Sequence, residues 1–209
     1  MRIGVVACEC FKNELEMVLA GEAVEEKVYL EFGLHAYPQE LRREIVRTVN
    51  GLKGKVDAVF LAYGVCNSLG GIADELEVPT VTLRADDCIG ALLTPEEYAR
   101  ERKRCAGTMF HIPFMSQMGV GYFEKELTSK MPNYKELGVD LDWYLGIMFD
   151  GYSRCLFIDT GIGDRERYEN LSKEFARQLS LRYETREGTV QMLRDGLMET
   201  KDLASRHLH

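Results

Sequence analysis

Short apolar runs alternate with amphipathic stretches through residues 2–84, and this alternation constrains the fold more than any single motif. RIGVVA, KVYLEF, DAVFLAY and TVTL read as strands, rich in β-branched and aromatic residues and bounded by Gly, Asp or Pro. Between the second and third, Leu41, Ile45, Val49 and Leu52 recur at helical spacing and form one apolar stripe opposite Glu40, Arg43 and Arg47. Strands separated by amphipathic helices are βαβ units, which build parallel sheets. The third run, Asp57 to Tyr63, is almost wholly apolar, as a central strand covered on both faces requires. The expectation is an α/β, Rossmann-like fold, a mostly parallel sheet with helices on both faces, formed by residues 1–209 as a single domain.

Further along, Thr94, Pro95 and Glu97 fall in the order of a helix start: capping hydroxyl, proline at the first helical position, and capping-box carboxylate. Residues 107–151 are irregular and rich in Met and aromatics, with Pro113 blocking a continuous helix. Met109 to Phe123 is too apolar to stand in water, and is expected to cover the edge of the sheet as a lid that includes His111. RCLFID then reads as a strand. A helix follows from Asp164 with Tyr168, Leu171, Phe175 and Leu179 on its apolar side, and LRYETRE and TVQMLRDGLM read as a last strand and helix. Residues 200–209 form a polar tail.

Composition removes several function classes. Net charge is −8 and no Lys/Arg cluster is interleaved with aromatics, so the field opposes a nucleic-acid partner. No stretch approaches the roughly 18 apolar residues of a membrane span. The apolar run before Cys8 is shorter than the roughly 7 to 15 residues of a signal core. A cytoplasmic setting is expected, in which the six cysteines stay reduced.

The chemistry-bearing residues repeat one context. Cys8, His35, Cys66 and Cys88 each follow a strand, and the carboxyl ends of parallel strands share one edge, where α/β proteins bind ligands. Three cysteines with His35 satisfy a Cys3His zinc site, while three cysteines alone hold an iron–sulfur cluster with one iron open to substrate. His35 also serves as a proton carrier in this reading. Asp87, and less so Asp86, are acid/base candidates or partners of the ligands, and Arg84 is placed to pair with an anionic substrate or with either aspartate. Tyr63 and Gly64, in YGVCNSLGG, are candidates for contact with a bound cofactor. Cys10, Cys105 and Cys155 lack the strand-end context and read as structural. DTGIGD, residues 159–164, lacks the dinucleotide and Walker signatures and reads as a permissive turn.

GLHAYPQEL, LAYGVCNSLGG, LRADDCIGALLTPEEY, FIDTG and REGTVQMLRDGL, in that order, resemble the uncharacterised family called domain of unknown function 1638. The likeness rests on Leu34, His35, Pro38, Tyr63, Gly64, Cys66, Asp87 and Cys88. It implies an association with corrinoid methyltransferase systems and so with one-carbon metabolism. The chain has no Asp-x-His-x-x-Gly signature, so corrinoid ligation through that motif is not implied. Three functions remain open: a metal or iron–sulfur enzyme acting on a small substrate, an accessory or metal-carrying partner of a methyltransferase, and a metal-free thiol enzyme. Association with a further copy of the chain is compatible with each.

Overall fold

A computed structural model describes residues 1–64 and 69–206. In chain order the strands are β1 (Ile3–Cys8), β2 (Glu26–Leu30), β3 (Ala58–Ala62), β4 (Thr80–Thr82), β5 (Thr108–His111), β6 (Arg154–Asp159) and β7 (Arg182–Glu187). The helices are α1 (Lys12–Val18), α2 (Pro38–Asn50), α3 (Cys88–Leu93), α4 (Pro95–Arg104), α5 (Pro113–Met118), α6 (Gly121–Lys130), α7 (Leu141–Met148), α8 (Arg165–Gln178) and α9 (Gln191–Arg206). Two compact units result, Met1–Tyr98 with Gly188–His209, and Ala99–Glu187. Each is α/β with an all-parallel sheet.

The first unit carries the sheet β2-β1-β3-β4. Every residue of β1 and β3 is buried, as central strands require, whereas β2 and β4 at the edges are partly exposed. Side chains alternate across a sheet, so neighbouring residues report which helices cover which face. Gly4, paired with Val59, faces Leu52 and Val56 just beyond α2; an added Cβ would stand 3.0 Å from Leu52 Cδ1. One step on, Val5 pairs with Phe60, whose ring lies against Gly196 of α9; a Cβ on Gly196 would fall 2.4 Å from that ring. Helices thus cover both faces, as the spacing of residues 2–84 predicts.

The predicted stripe of α2 is buried at Leu41, Ile45 and Val49. The helix start at Thr94 is also present, its hydroxyl accepting from Glu97 N at 3.3 Å. In α9 the buried positions are Leu193, Gly196, Leu197, Thr200 and Ala204, so the helix extends into the stretch read as a polar tail. Apolar content there is low, but every fourth or so residue is small enough to pack.

The second unit carries the sheet β5-β6-β7. The stretch read as irregular forms β5 and the helices α5, α6 and α7. Pro113 does block a continuous helix; it starts α5 after β5 has ended. Met109, Val120, Phe123 and Phe149 pack against the buried Cys155, Phe175, Ala176 and Leu181. The apolar character that suggested a lid is therefore accounted for by the core of this unit. His111 belongs to that core too, its Nδ1 3.0 Å from Ser172 Oγ and its ring 4.4 Å from that of Phe175. Burial lowers its pKa to about 4. At the amino end of this sheet lies Arg154, fully buried, which donates to Glu101 at 2.6 Å, Glu184 at 3.2 Å and Thr108 at 2.8 Å. Among the described residues no helix is long and apolar enough to cross a membrane.

Candidate metal centre

The strand order β2-β1-β3-β4 places β2 on one side of β1 and β3 on the other, so the strand order reverses between β1 and β3 while all strands stay parallel. Connections diverge to opposite faces there and leave a crevice at the carboxyl ends, the usual ligand position in open α/β sheets. Cys8 closes β1 at this point. Directly after it a 3-10 turn, Glu9–Phe11, tightens the chain and brings Cys10 back toward Cys8. On the other side of the sheet β4 leads into Asp87 and Cys88. The sulfurs of Cys8, Cys10 and Cys88 all lie within 4.8 Å of one another. Cys8 and Cys10 are buried, and Cys88 is partly exposed as a residue while its sulfur meets the other two.

His35 joins them through a second 3-10 turn, Phe32–Ala36, at the end of β2. Its Nε2 is 3.3 Å from Cys8 Sγ, and its ring is 5.2 Å from Phe32 and 6.0 Å from Tyr63. The Glu9 carboxylate accepts from Phe32 N at 2.6 Å, tying the turn after β1 to the turn after β2. One backbone hydrogen bond to a carboxylate thus fixes the relative placement of Cys8, Cys10 and His35.

The Cys88 turn is fixed with equal care. Asp87 caps α3, its Oδ1 accepting from Gly90 N at 2.9 Å, while its Oδ2 accepts from Tyr98 OH at 2.6 Å. Gly64 is required by the same turn: an added Cβ would lie 2.7 Å from Asp87 N and Cα and 2.8 Å from Ala85 O. Its bareness serves the approach of another backbone, where the sequence suggests contact with a cofactor. Likewise Asp87 holds the turn with both oxygens, where an acid/base role is expected.

Charge is distributed unequally among the three thiols. Cys8 is held well below the usual thiol range by hydrogen bonds from Cys10 and Cys88, with His35 assisting, against the opposing effect of burial. Cys10 is driven well above that range by burial and then by its two neighbours. Cys88 also ends well above it: its hydrogen bond with Cys10 lowers it, but Cys8, burial and the charge of Asp87 together prevail. Negative charge in the trio is therefore favoured on Cys8 over Cys10 and Cys88. A second negative charge at this spacing, away from water, is strongly opposed unless a cation arrives.

Of the residues singled out by sequence, Cys8, Cys88 and His35 come together, with Tyr63 beside them. Cys66 lies outside the described residues. Arg84 is not with the aspartates: it is exposed and pairs with Glu199 of α9 at 3.1 Å. Asp86 is exposed. Cys105 and Cys155 belong to the second unit, Cys105 3.4 Å from Ser153 Oγ and Cys155 in the core. The member of the sulfur trio that sequence reasoning misses is Cys10. Its signal is Cys-x-Cys at a strand end: residues two apart share one face of a strand, and the 3-10 turn after β1 keeps both sulfurs together.

The donor set suits a soft cation. Three sulfurs in mutual contact with an imidazole beside them are the ligands of tetrahedral thiolate centres. The Tyr63 hydroxyl beside them is buried and without a hydrogen-bond partner among the described residues. No curated protein and no solved structure matches the chain. A family match covers residues 29–197, which include His35, Tyr63, Gly64, Asp87 and Cys88, while β1 with Cys8 and Cys10 precedes it. On that match the chain belongs to the family described as "Protein of unknown function (DUF1638)".

Proposed function

We propose that the protein binds a single soft divalent ion of the zinc type through the thiolates of Cys8, Cys10 and Cys88. The observation that carries this reading is the 4.8 Å bound on the sulfur separations. Tetrahedral arms of about 2.3 Å set sulfurs about 3.8 Å apart. In a four-iron cluster each thiolate sits on its own iron, and the sulfurs spread to roughly 6 Å. Spacing thus favours one ion over the cluster. His35, already against Cys8, orients that sulfur and tempers its charge.

A divalent ion held by three thiolates is electron-rich, and so is better suited to holding a soft sulfur donor than to activating water for hydrolysis. The link to methyl-group metabolism enters here as a proposal. A thiol held as thiolate on such an ion is the chemistry that a methyl acceptor needs.

Protein purified without oxygen tests the assignment through its metal and acid-labile sulfide content. The expected result is one zinc-type ion per chain and no sulfide. Brown protein with iron and sulfide would replace the single ion by a cluster. A second reading, a metal-free thiol enzyme, is supported by the Cys8 thiolate itself. Protein that stays metal-free after metal is supplied, yet reacts with iodoacetamide at Cys8 at low pH, would favour it.

A further inference from the structure

Three buried side-chain oxygens lack a hydrogen-bond partner among the described residues, the hydroxyls of Tyr63, Tyr144 and Tyr183. Only Tyr63 is fully buried, at 1% exposure; the other two residues are partly exposed. A phenol hydroxyl without partner in the interior forfeits its hydration for nothing, so such groups point to an absent partner. Position says where that partner belongs. Tyr63 follows Ala62, which pairs with Ala7, so it stands beside Cys8 at the carboxyl edge. Its ring lies 6.0 Å from His35, and its hydroxyl faces the sulfur of Cys8 closely enough for a weak interaction but outside hydrogen-bond geometry.

We propose that Tyr63 donates a hydrogen bond to a small thiolate bound at the fourth position of the ion held by Cys8, Cys10 and Cys88. This rests on the metal reading above and deepens it: the centre is open and takes a substrate, instead of being closed by protein ligands. The ligand class follows from the two groups that would meet it. A thiolate-rich ion prefers a soft donor, and a sulfur bound to it keeps lone pairs that accept from a phenol O–H. His35 stands apart from the ligand set, since among the described residues only the sulfurs of Cys8, Cys10 and Cys88 all lie within 4.8 Å of one another. The step is association alone: the thiol loses its proton to solvent and gains a metal–sulfur bond.

Cobalt(II)-loaded protein prepared without oxygen and titrated with 2-mercaptoethanol provides the test, read by the ligand-field and sulfur-to-cobalt charge-transfer bands. A saturable change with one thiol per cobalt is expected. Tyr63→Phe should bind cobalt with the same stoichiometry and the same starting spectrum, but take the thiol about tenfold more weakly. The metal-free variant should be at least as heat-stable as the parent, since only an unpaired oxygen is removed. A cobalt spectrum indifferent to thiol would show the fourth position closed by the protein and overturn the proposal. So would equal thiol affinity in the two proteins, or loss of cobalt in the variant. Failure of the parent to bind cobalt at all would instead strike the metal reading, and this inference with it.

Discussion

Cys8 and Cys155 are both fully buried and both lie on parallel strands, yet their chemistry is opposite. Cys155, in the second unit, has among the described residues the Ser172 carbonyl at 4.0 Å for its S–H, and burial pushes its thiol up to about 12. Cys8, in the first, has two further thiols and a histidine, and is held down. Burial alone makes a cysteine an inert small hydrophobe, whereas company at a strand end makes it a ligand or nucleophile. The carboxyl edges of the two sheets repeat the contrast. At the end of β6, Asp159 accepts from Gly161 N at 2.9 Å and pairs with Arg165 at 2.6 Å, and at the end of β5 His111 is satisfied by Ser172. At these strand ends Asp159 and His111 of the second unit are satisfied from within, whereas the Tyr63 hydroxyl of the first has no partner among the described residues; the open hydroxyls of the second unit, Tyr144 on α7 and Tyr183 near the start of β7, do not stand at a strand's carboxyl end.

The largest expected effect probes that self-sufficiency. Arg154→Met removes a fully buried guanidinium that donates to Glu101, Glu184 and Thr108, although Glu101 keeps Arg186 at 2.8 Å and Glu184 keeps Arg182 at 2.9 Å. Losing its several buried, charge-assisted hydrogen bonds should cost about 3 kcal/mol in denaturant unfolding, without changing the metal stoichiometry of folded protein. Next in size, Cys10→Ser should lower metal affinity on the order of several hundredfold, one ligand's share of a thiolate site, while Cys155→Ser binds metal as the parent does. Competition with a chromogenic chelator measures both. Equal losses from the two variants would erase the contrast between the units.

Proton release gives a third expectation. The thiols of Cys10 and Cys88 have raised pKa values and Cys8 a lowered one, so near neutrality metal must displace two protons. Protons compete with metal, so affinity should rise with pH, by about 100-fold per unit for two protons, and should fall as the solution is acidified. A slope near one in chelator competition would mean that two thiolates pre-exist and would break the single-thiolate picture. Smaller again is Gly64→Ala, whose methyl meets the Asp87 backbone at 2.7 Å. Overpacking of this kind should cost about 1–3 kcal/mol of stability and weaken metal binding through the displaced Cys88 turn.

Much of the first unit was legible because its strands are short, apolar and spaced by an amphipathic helix whose stripe is unambiguous. The shared carboxyl edge, and with it Cys8, His35 and Cys88, followed from that spacing alone. Cys10 was hidden because its place depends on one turn's curvature, which periodicity does not encode. The partners of Arg84 and Asp87 were hidden for a related reason. A charged strand end reads the same whether its partner is a substrate, an α9 glutamate 115 positions away, or the next turn's backbone. Residues 107–151 concealed a strand and helices because β5 is only four residues long and the helices after it are broken by Pro113 and Gly119. Nor does any compositional boundary reveal that residues 99–187 form a unit of their own, since the chain passes into it within α4.

The central claim is that three cysteine sulfurs share one ion. X-ray absorption at the metal edge of protein loaded with one equivalent of zinc tests it most directly. The account predicts at least three sulfur neighbours at about 2.3 Å and no metal–metal scattering, with the sulfur number falling by one in Cys10→Ser. Fewer than three sulfurs in the parent, a metal–metal vector, or a sulfur count unchanged by Cys10→Ser would contradict it.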